Sequence, residues 1–225
     1  MLRDCELSVT AFDWVPGFAQ GLVRDLRVRW ALEEAGLPYE VDLLAQGTQG
    51  DAPNLARQPF GQVPSLKMGD GSMFESGAIV WRIAQESDVL LPPDPAGRDA
   101  ALSWLFAALN TIEPPISMLA QLDFFSTDTE AAGRLRPEIV AAIRLRLSAL
   151  ERELAGRDWL ADRFTVGDLM MGAVLRMVDR DTLGDFPATA AYVDRCIDRP
   201  AFRKALAGQL QPFAQNEARY ASMLQ

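Results

Sequence analysis

A proline at the head of a short apolar stretch, and an acid–hydroxyl pair eleven residues further on, are the residues of this chain best suited to chemistry. They are Pro64, in Gly61-Gln62-Val63-Pro64, and Glu75-Ser76. A proline at the start of a strand cannot donate a ladder hydrogen bond, so it belongs at an edge or a bulge. With a cis peptide bond it would turn the carbonyl and amide of Val63 outward, ready to pair with an extended peptide. Glu75-Ser76 opens a helical pattern with Ile79, Val80 and Ile83 on one side. The first turn of a helix presents free N–H groups and the positive end of its dipole, which suit a carboxylate. Ser76 adds a hydroxyl donor, and Glu75 can hold an ammonium group. A grip on a peptide backbone beside a grip on an amino-acid head suits a small γ-linked peptide. Gln62 either hydrogen-bonds that peptide or faces solvent. Arg57, Gln58 and Gln46 are candidates for a terminal carboxylate.

Composition narrows the chemistry. The chain has 225 residues, 49% hydrophobic and 24% charged, with a net charge of −9, which argues against non-specific nucleic-acid binding. An anionic ligand therefore needs local donors, because the overall field repels it. There is no histidine, hence no imidazole base and no imidazole metal ligand. Cys5 and Cys196 are the two cysteines, too few for a disulfide framework or a zinc site. No metal is expected. No apolar run approaches the ~20 residues that span a bilayer, and Met1-Leu2-Arg3-Asp4-Cys5-Glu6 lacks the layout of a signal peptide. A cytoplasmic location and no membrane partner are the expectation.

Two segments of different character must position these groups. Leu7–Phe12 alternates as a strand does. A helix is expected from between Phe18 and Val23 to Ala35, capped by Gly36. Tyr39–Leu44 reads as a second strand, and 46–58 as loop with at most a short helix. Val63–Lys67, a turn at Gly69-Asp70-Gly71 and Ser72–Phe74 form a hairpin. Leu91-Pro92-Pro93-Asp94-Pro95 is a stiff linker, and everything after it is helical. The reading gives domains at 1–87 and 97–225, joined by 88–96. In the second, Pro114-Pro115 must kink or end a helix that begins near Gly97. Residues 126–133 read as loop, and Pro137 as the first turn of a helix that Gly156 closes. Thr165 and Asp168 have the spacing of a capping box, with Phe164 and Leu169 as its staple, ahead of a helix apolar nearly all round. The tail from Gly208 has no clear reading.

The stretch from Gly61-Gln62-Val63-Pro64 to Glu75-Ser76 resembles the glutathione site of the cytosolic glutathione transferases. Arg27-Val28-Arg29 through Pro38-Tyr39, the Thr165–Asp168 box and Arg199-Pro200-Ala201-Phe202 also look like segments of that family. The resemblance implies an α/β plus all-α fold: a thioredoxin-like N-terminal domain, β-α-β-α-β-β-α, followed by an all-helical C-terminal domain. It implies glutathione as co-substrate, bound by Gln62, Val63, Pro64, Glu75, Ser76 and Arg57. A small-molecule electrophile would sit between the domains, against Trp14, Trp104 and Met118, with Leu122, Phe124 and Phe125 as further candidates. A homodimer is implied, with Phe74 and Trp81 available to it, and a role in detoxification. The family's thiolate donor, a Tyr, Ser or Cys after the first strand, is missing between Ala11 and Trp30. The donor must then be backbone N–H groups, the Trp14 indole, the Gln20 amide or Arg24, so Trp14 and Arg24 are the candidate catalytic residues. Three functions follow: addition of glutathione to an electrophile, glutathione-dependent disulfide reduction, or a non-catalytic interaction protein on the same fold.

Overall fold

The computed structural model describes residues 1–221; the last four residues of the expected 97–225 domain lie outside them. By their internal packing the described residues form two units. One is Met1–Leu91 together with the residues from Asp198 onward; the other is Pro92–Ile197.

The first unit is built on a four-stranded mixed sheet. Its strands are β1 (Leu7–Phe12), β2 (Glu40–Leu44), β3 (Ser65–Met68) and β4 (Gly71–Phe74), in the order β2-β1-β3-β4. β1 runs parallel to β2, and β1–β3 and β3–β4 are antiparallel. The connecting helices are α1 (Asp25–Ala35), the single turn α2 (Ala52–Leu55) and α3 (Ser76–Ala84). This bears out the expected β-α-β-α-β-β-α order. The core lies between the sheet and α1 and α3, where Val9, Val28, Leu32, Leu66, Ile79 and Ile83 are fully buried. The start of α1 departs from expectation. Residues Gly17–Ala19 form a separate 3-10 turn, and Gly21 has φ +78°. A left-handed residue breaks the run of helical dihedrals, so α1 begins only at Asp25.

The C-terminal tail joins this unit as α10 (Pro200–Tyr220), which packs along α1. Trp30 meets Phe202 edge to face at 4.9 Å, and Arg199 makes a two-pronged ion pair with Glu34. Deeper in, Arg29 Nε donates to Asp25 at 2.6 Å, and Gln209 Nε2 donates to the other Asp25 oxygen at 2.6 Å. Burial pushes the Asp25 carboxyl up, against the pull of Arg29 and Gln209.

The second unit is helical throughout. Its helices are α4 (Pro95–Ala107), α5 (Glu113–Phe125), α6 (Thr129–Leu154), α7 (Val166–Leu175), α8 (Arg180–Gly184) and α9 (Pro187–Ile197). Between α4 and α5 the chain widens into a π-turn, Ala108–Ile112, where the Glu113 N–H reaches back to Ala108. Pro114 and Pro115 then occupy the first turn of α5, where missing N–H groups cost least. Two expectations are corrected here. The loop at 126–133 is only three residues long. Asp128 caps α6, its carboxylate accepting from the Ala131 N–H at 2.9 Å, so Pro137 lies inside α6 rather than in its first turn. Proline is tolerated there because it and Gly133, whose carbonyl loses its partner, both face solvent.

α7 is buried along its whole length. Thr165 Oγ1 accepts from the Gly167 N–H, and the Asp168 carboxylate accepts from the Thr165 N–H at 2.9 Å, a reciprocal cap. Gly167 is needed for the approach of α4: a Cβ there would sit 2.7 Å from Cβ of Trp104.

Glu151 of α6 caps α9. Its oxygens accept from the N–H groups of Ala188 and Thr189 and from the Thr189 hydroxyl, each at 2.8 Å. Burial pushes this carboxyl up, but the three donors outweigh it and hold the pKa below the usual 4.5. A lowered folded pKa contributes stability above the unfolded value, and that contribution fades as pH falls through the folded one. Glu151→Gln will therefore lose about 1 kcal/mol at pH 7, and the gap from the unaltered protein will narrow below pH 4.5. Thermal unfolding from pH 3 to 7 checks this; a gap independent of pH would refute the charge argument.

Candidate functional site

The hairpin β3–β4 and the head of α3 build the site. The strands pair Ser65 with Phe74 and Met68 with Gly71. Gly69, at φ +57°, and Asp70 make the two-residue turn. The ladder ends at Ser65 and Phe74, with Val63–Pro64 directly before the one and Glu75–Ser76 directly after the other. The Val63–Pro64 bond is cis. Ser65 is anchored to the central strand, its N–H donating to Thr10 Oγ1 at 2.6 Å. Thr10 and Ser65 are both buried.

Glu75 is the N-cap of α3 with φ +70° and ψ +112°. A side chain other than glycine rarely adopts that conformation, which costs about 1–3 kcal/mol and is found where the surroundings or a function demand it. Ser76, the first helical residue, is buried with only 5% exposure. The arrangement thus combines an exposed acid, a buried hydroxyl and the N–H groups of a first turn directly after β4.

The other candidates are placed differently. Arg57 is paired with Asp42 of β2, so a ligand carboxylate reaching it competes with a neighbour. Gln58 does not face outward. It is 2% exposed, and its Oε1 accepts from the N–H groups of Phe60, at 2.7 Å, and Gln62, at 3.2 Å. The Gln46 N–H donates to Tyr220 and Asp13. Trp14 is 1% exposed, stacks on Tyr220 at 5.0 Å, and donates its indole N–H to Glu217 of α10 at 2.7 Å. The Gln20 amide donates to the Val15 carbonyl at 3.1 Å. Two of the four candidate thiolate donors, the Trp14 indole and the Gln20 amide, are thus committed within the fold. Arg24 precedes α1 as its N-cap. In the helical unit, Trp104 lines a hollow of about 200 Å³ with Ile112, Leu150 and Met171, and Met118 is exposed.

Sequence reasoning overlooked Asn54, Thr10 and the α10 residues Glu217 and Tyr220. Asn54 carries one signal: it stands in the short turn ahead of Pro59 and Gly61. Glu217 and Tyr220 carry none, since their partners lie some two hundred residues away. Among the described residues, no group of three His, Cys, Asp or Glu side chains could hold a metal ion. No helix among them is long and apolar enough to cross a membrane.

Comparison with known proteins shows what the chain is similar to. Residues 26–91 match the family model for the glutathione S-transferase N-terminal domain, and residues 113–200 match that for its C-terminal domain. Glutathione S-transferase 4 of Zea mays is 31% identical over 189 residues, covering 79% of this chain and 85% of that protein. The chain belongs to the glutathione S-transferase family. Disulfide-bond oxidoreductase YfcG of Escherichia coli K12 is also similar, at 28% identity over 192 residues, covering 78% of this chain and 86% of that protein. Among solved structures, a glutathione transferase from Burkholderia graminis has a TM-score of 0.74 at 26% identity, covering 89% of this chain and 87% of that one. That structure holds two glutathione molecules per subunit. Between Ala11 and Trp30 the chain has no Tyr, Ser or Cys.

Proposed function

We propose that this protein is a glutathione transferase that binds glutathione along Gln62-Val63-Pro64, Glu75 and Ser76, and holds its sulfur as thiolate for attack on a hydrophobic electrophile. The observation that carries this reading is the Ser65–Phe74 pair that ends the β3–β4 ladder: Val63–Pro64 stands directly before one partner and the Glu75–Ser76 head of α3 directly after the other. In this reading the Val63 backbone pairs with the peptide of glutathione. Glu75 takes the γ-glutamyl ammonium, and the first turn of α3, with the Ser76 hydroxyl, takes the α-carboxylate. The Arg57–Asp42 pair opens to admit the glycine carboxylate.

The Trp14 indole is assigned to packing, because Glu217 already accepts its N–H. Stabilising the thiolate then falls to backbone N–H groups ahead of α1, with Arg24 adjacent. An electropositive setting of that kind lowers a thiol pKa. Bound thiolate attacks the electrophilic carbon, the new carbon–sulfur bond forms, and the leaving group departs with its electron pair. Holding the two reactants together supplies proximity as well as activation. The second substrate contacts assigned to Trp104 and Met118 belong to this same reading.

The test is a calorimetric titration with reduced glutathione in buffers of differing ionisation heat. Micromolar-to-millimolar binding with proton release near pH 7 is expected. Binding without release would contradict thiolate formation, and no binding would favour the interaction-protein alternative.

The likeness to a disulfide-bond oxidoreductase favours a second reading, glutathione-dependent disulfide reduction. There the thiolate attacks a mixed disulfide of glutathione, forming glutathione disulfide and releasing the other thiol. Turnover of a mixed disulfide but not of an aryl halide would select it. The exposed Phe60 and Phe74, edge to face at 6.2 Å, support a homodimer; a single-chain mass in sedimentation equilibrium would count against it.

A further inference from the structure

Two buried carboxamides hold the loop just ahead of Val63, and they do so with opposite polarity. Gln58 presents its oxygen: Oε1 accepts from the N–H groups of Phe60 and Gln62 at 2.7 and 3.2 Å. Asn54 presents its nitrogen: Nδ2 donates to the carbonyls of Gln49, at 2.7 Å, and Gln62, at 3.5 Å. Each is 2% exposed. Neither amide can be turned over. Rotating Gln58 would set its NH₂ against two N–H groups, and rotating Asn54 would set its oxygen against two carbonyls. Gln62 is therefore held by its own N–H, from Gln58, and by its own carbonyl, from Asn54.

The loop needs such holding. Gly61 has φ +64°, and a Cβ at that position would lie 3.3 Å from the Gln49 carbonyl oxygen, so the turn is tight against the chain around Gln49. Beyond it, Ser65 is held by Thr10 Oγ1 at 2.6 Å. Val63–Pro64 is thus a two-residue span with both ends pinned, to Gln58 and Asn54 on one side and to Thr10 on the other. A backbone that must offer a peptide N–H and carbonyl to a ligand gains affinity from being ordered beforehand, because the ordering cost is not taken from binding.

We propose that Gln58 and Asn54 are positioning residues for glutathione, fixing the peptide planes on either side of Gln62 and through the second of them the direction in which Val63 presents its backbone. The proposal rests on the glutathione reading given above and adds to it the side chains that make the site rigid. It also reassigns Gln58, which braces the loop from beneath instead of meeting the ligand.

The experiment uses the full chain in three forms: unaltered, Gln58→Leu and Gln58→Glu. Leucine matches the volume but accepts nothing. Glutamate restores both acceptors with a charge, whose burial the two N–H groups compensate in part. Two quantities are read, glutathione affinity by calorimetry and amide hydrogen exchange at residues 60–62 without ligand. Gln58→Leu will lose exchange protection at Phe60 and Gln62 and bind glutathione at least tenfold more weakly. Gln58→Glu will keep that protection and stay within about threefold of the unaltered affinity, a rescue that loss of packing alone would not show. Leucine-variant binding equal to that of the unaltered protein would overturn the proposal, as would amides that stay protected in that variant. No binding by the unaltered protein would overturn the glutathione reading and this proposal with it. That outcome is distinct from failure of the brace, in which the unaltered protein binds and the leucine variant binds as well.

Discussion

Glu75→Ala will bind glutathione about ten- to a hundredfold more weakly than the unaltered protein while its folding stability stays nearly unchanged. The size follows from losing a hydrogen bond between two charged groups, about 1.5–3 kcal/mol. The unchanged stability follows from the position. Glu75 is exposed, at the cap of α3, with no side-chain cap hydrogen bond to lose. Its φ of +70° is as awkward for alanine as for glutamate. Glycine has no such difficulty, so Glu75→Gly will bind as weakly as Glu75→Ala yet be about 1 kcal/mol more stable than it. A residue whose removal costs affinity, and whose replacement by glycine relieves strain, is held in place by function rather than by folding. Calorimetry and denaturant unfolding of the two variants measure both quantities. Unaltered affinity in either would remove Glu75 from the site.

Asp168→Ala will be the most destabilising single substitution proposed for this chain, at about 3–5 kcal/mol, against a typical total of about 5–15 kcal/mol for a domain. Asp168 has no exposed surface. One oxygen accepts from the Leu160 N–H at 2.9 Å and the Tyr192 hydroxyl at 3.0 Å; the other accepts from the N–H and hydroxyl of Thr165 at 2.9 and 3.0 Å. Alanine strands these donors in the interior at once, and each stranded buried donor costs roughly 1–3 kcal/mol. The full sum is not expected, because Thr165 can turn its hydroxyl and water can enter the space left. The same carboxylate joins the start of α7, the Leu160 segment and α9, so the effect will spread across the helical unit.

Burial pushes the Asp168 carboxyl up, beyond what its donors pull down. A raised folded pKa means a contribution that is fully present below the unfolded value of 3.8 and is lost as pH rises through the folded one, so variants must be compared at one pH. Denaturant unfolding at pH 7 gives the number. A loss under about 1 kcal/mol would mean that Asp168 is a simple helix cap. Glutathione affinity of the folded fraction will be unchanged, which separates this residue from Glu75.

The strand and helix order of the first unit was readable in the sequence because its signals are local. A two-residue alternation marks β1, Gly69-Asp70 marks the hairpin turn, and a polar pair ahead of Ile79, Val80 and Ile83 marks the head of α3. These are properties of neighbours, and the hairpin register that pairs Ser65 with Phe74, with Val63–Pro64 just before and Glu75–Ser76 just after, follows from so short a turn. The start of α6 was misread for a local reason too: a proline is favoured in a first turn, but an exposed helix interior tolerates one, and only solvent exposure separates the two cases. What the tertiary structure alone decided are pairings across long stretches of chain. Trp14 loses its N–H to Glu217, Asp25 takes Gln209, and Asp168 gathers Tyr192 and Leu160. Gln58 and Asn54 turn inward to hold the loop at Gln62. A buried donor or acceptor must find a partner, but no periodicity says which residue will arrive to supply it.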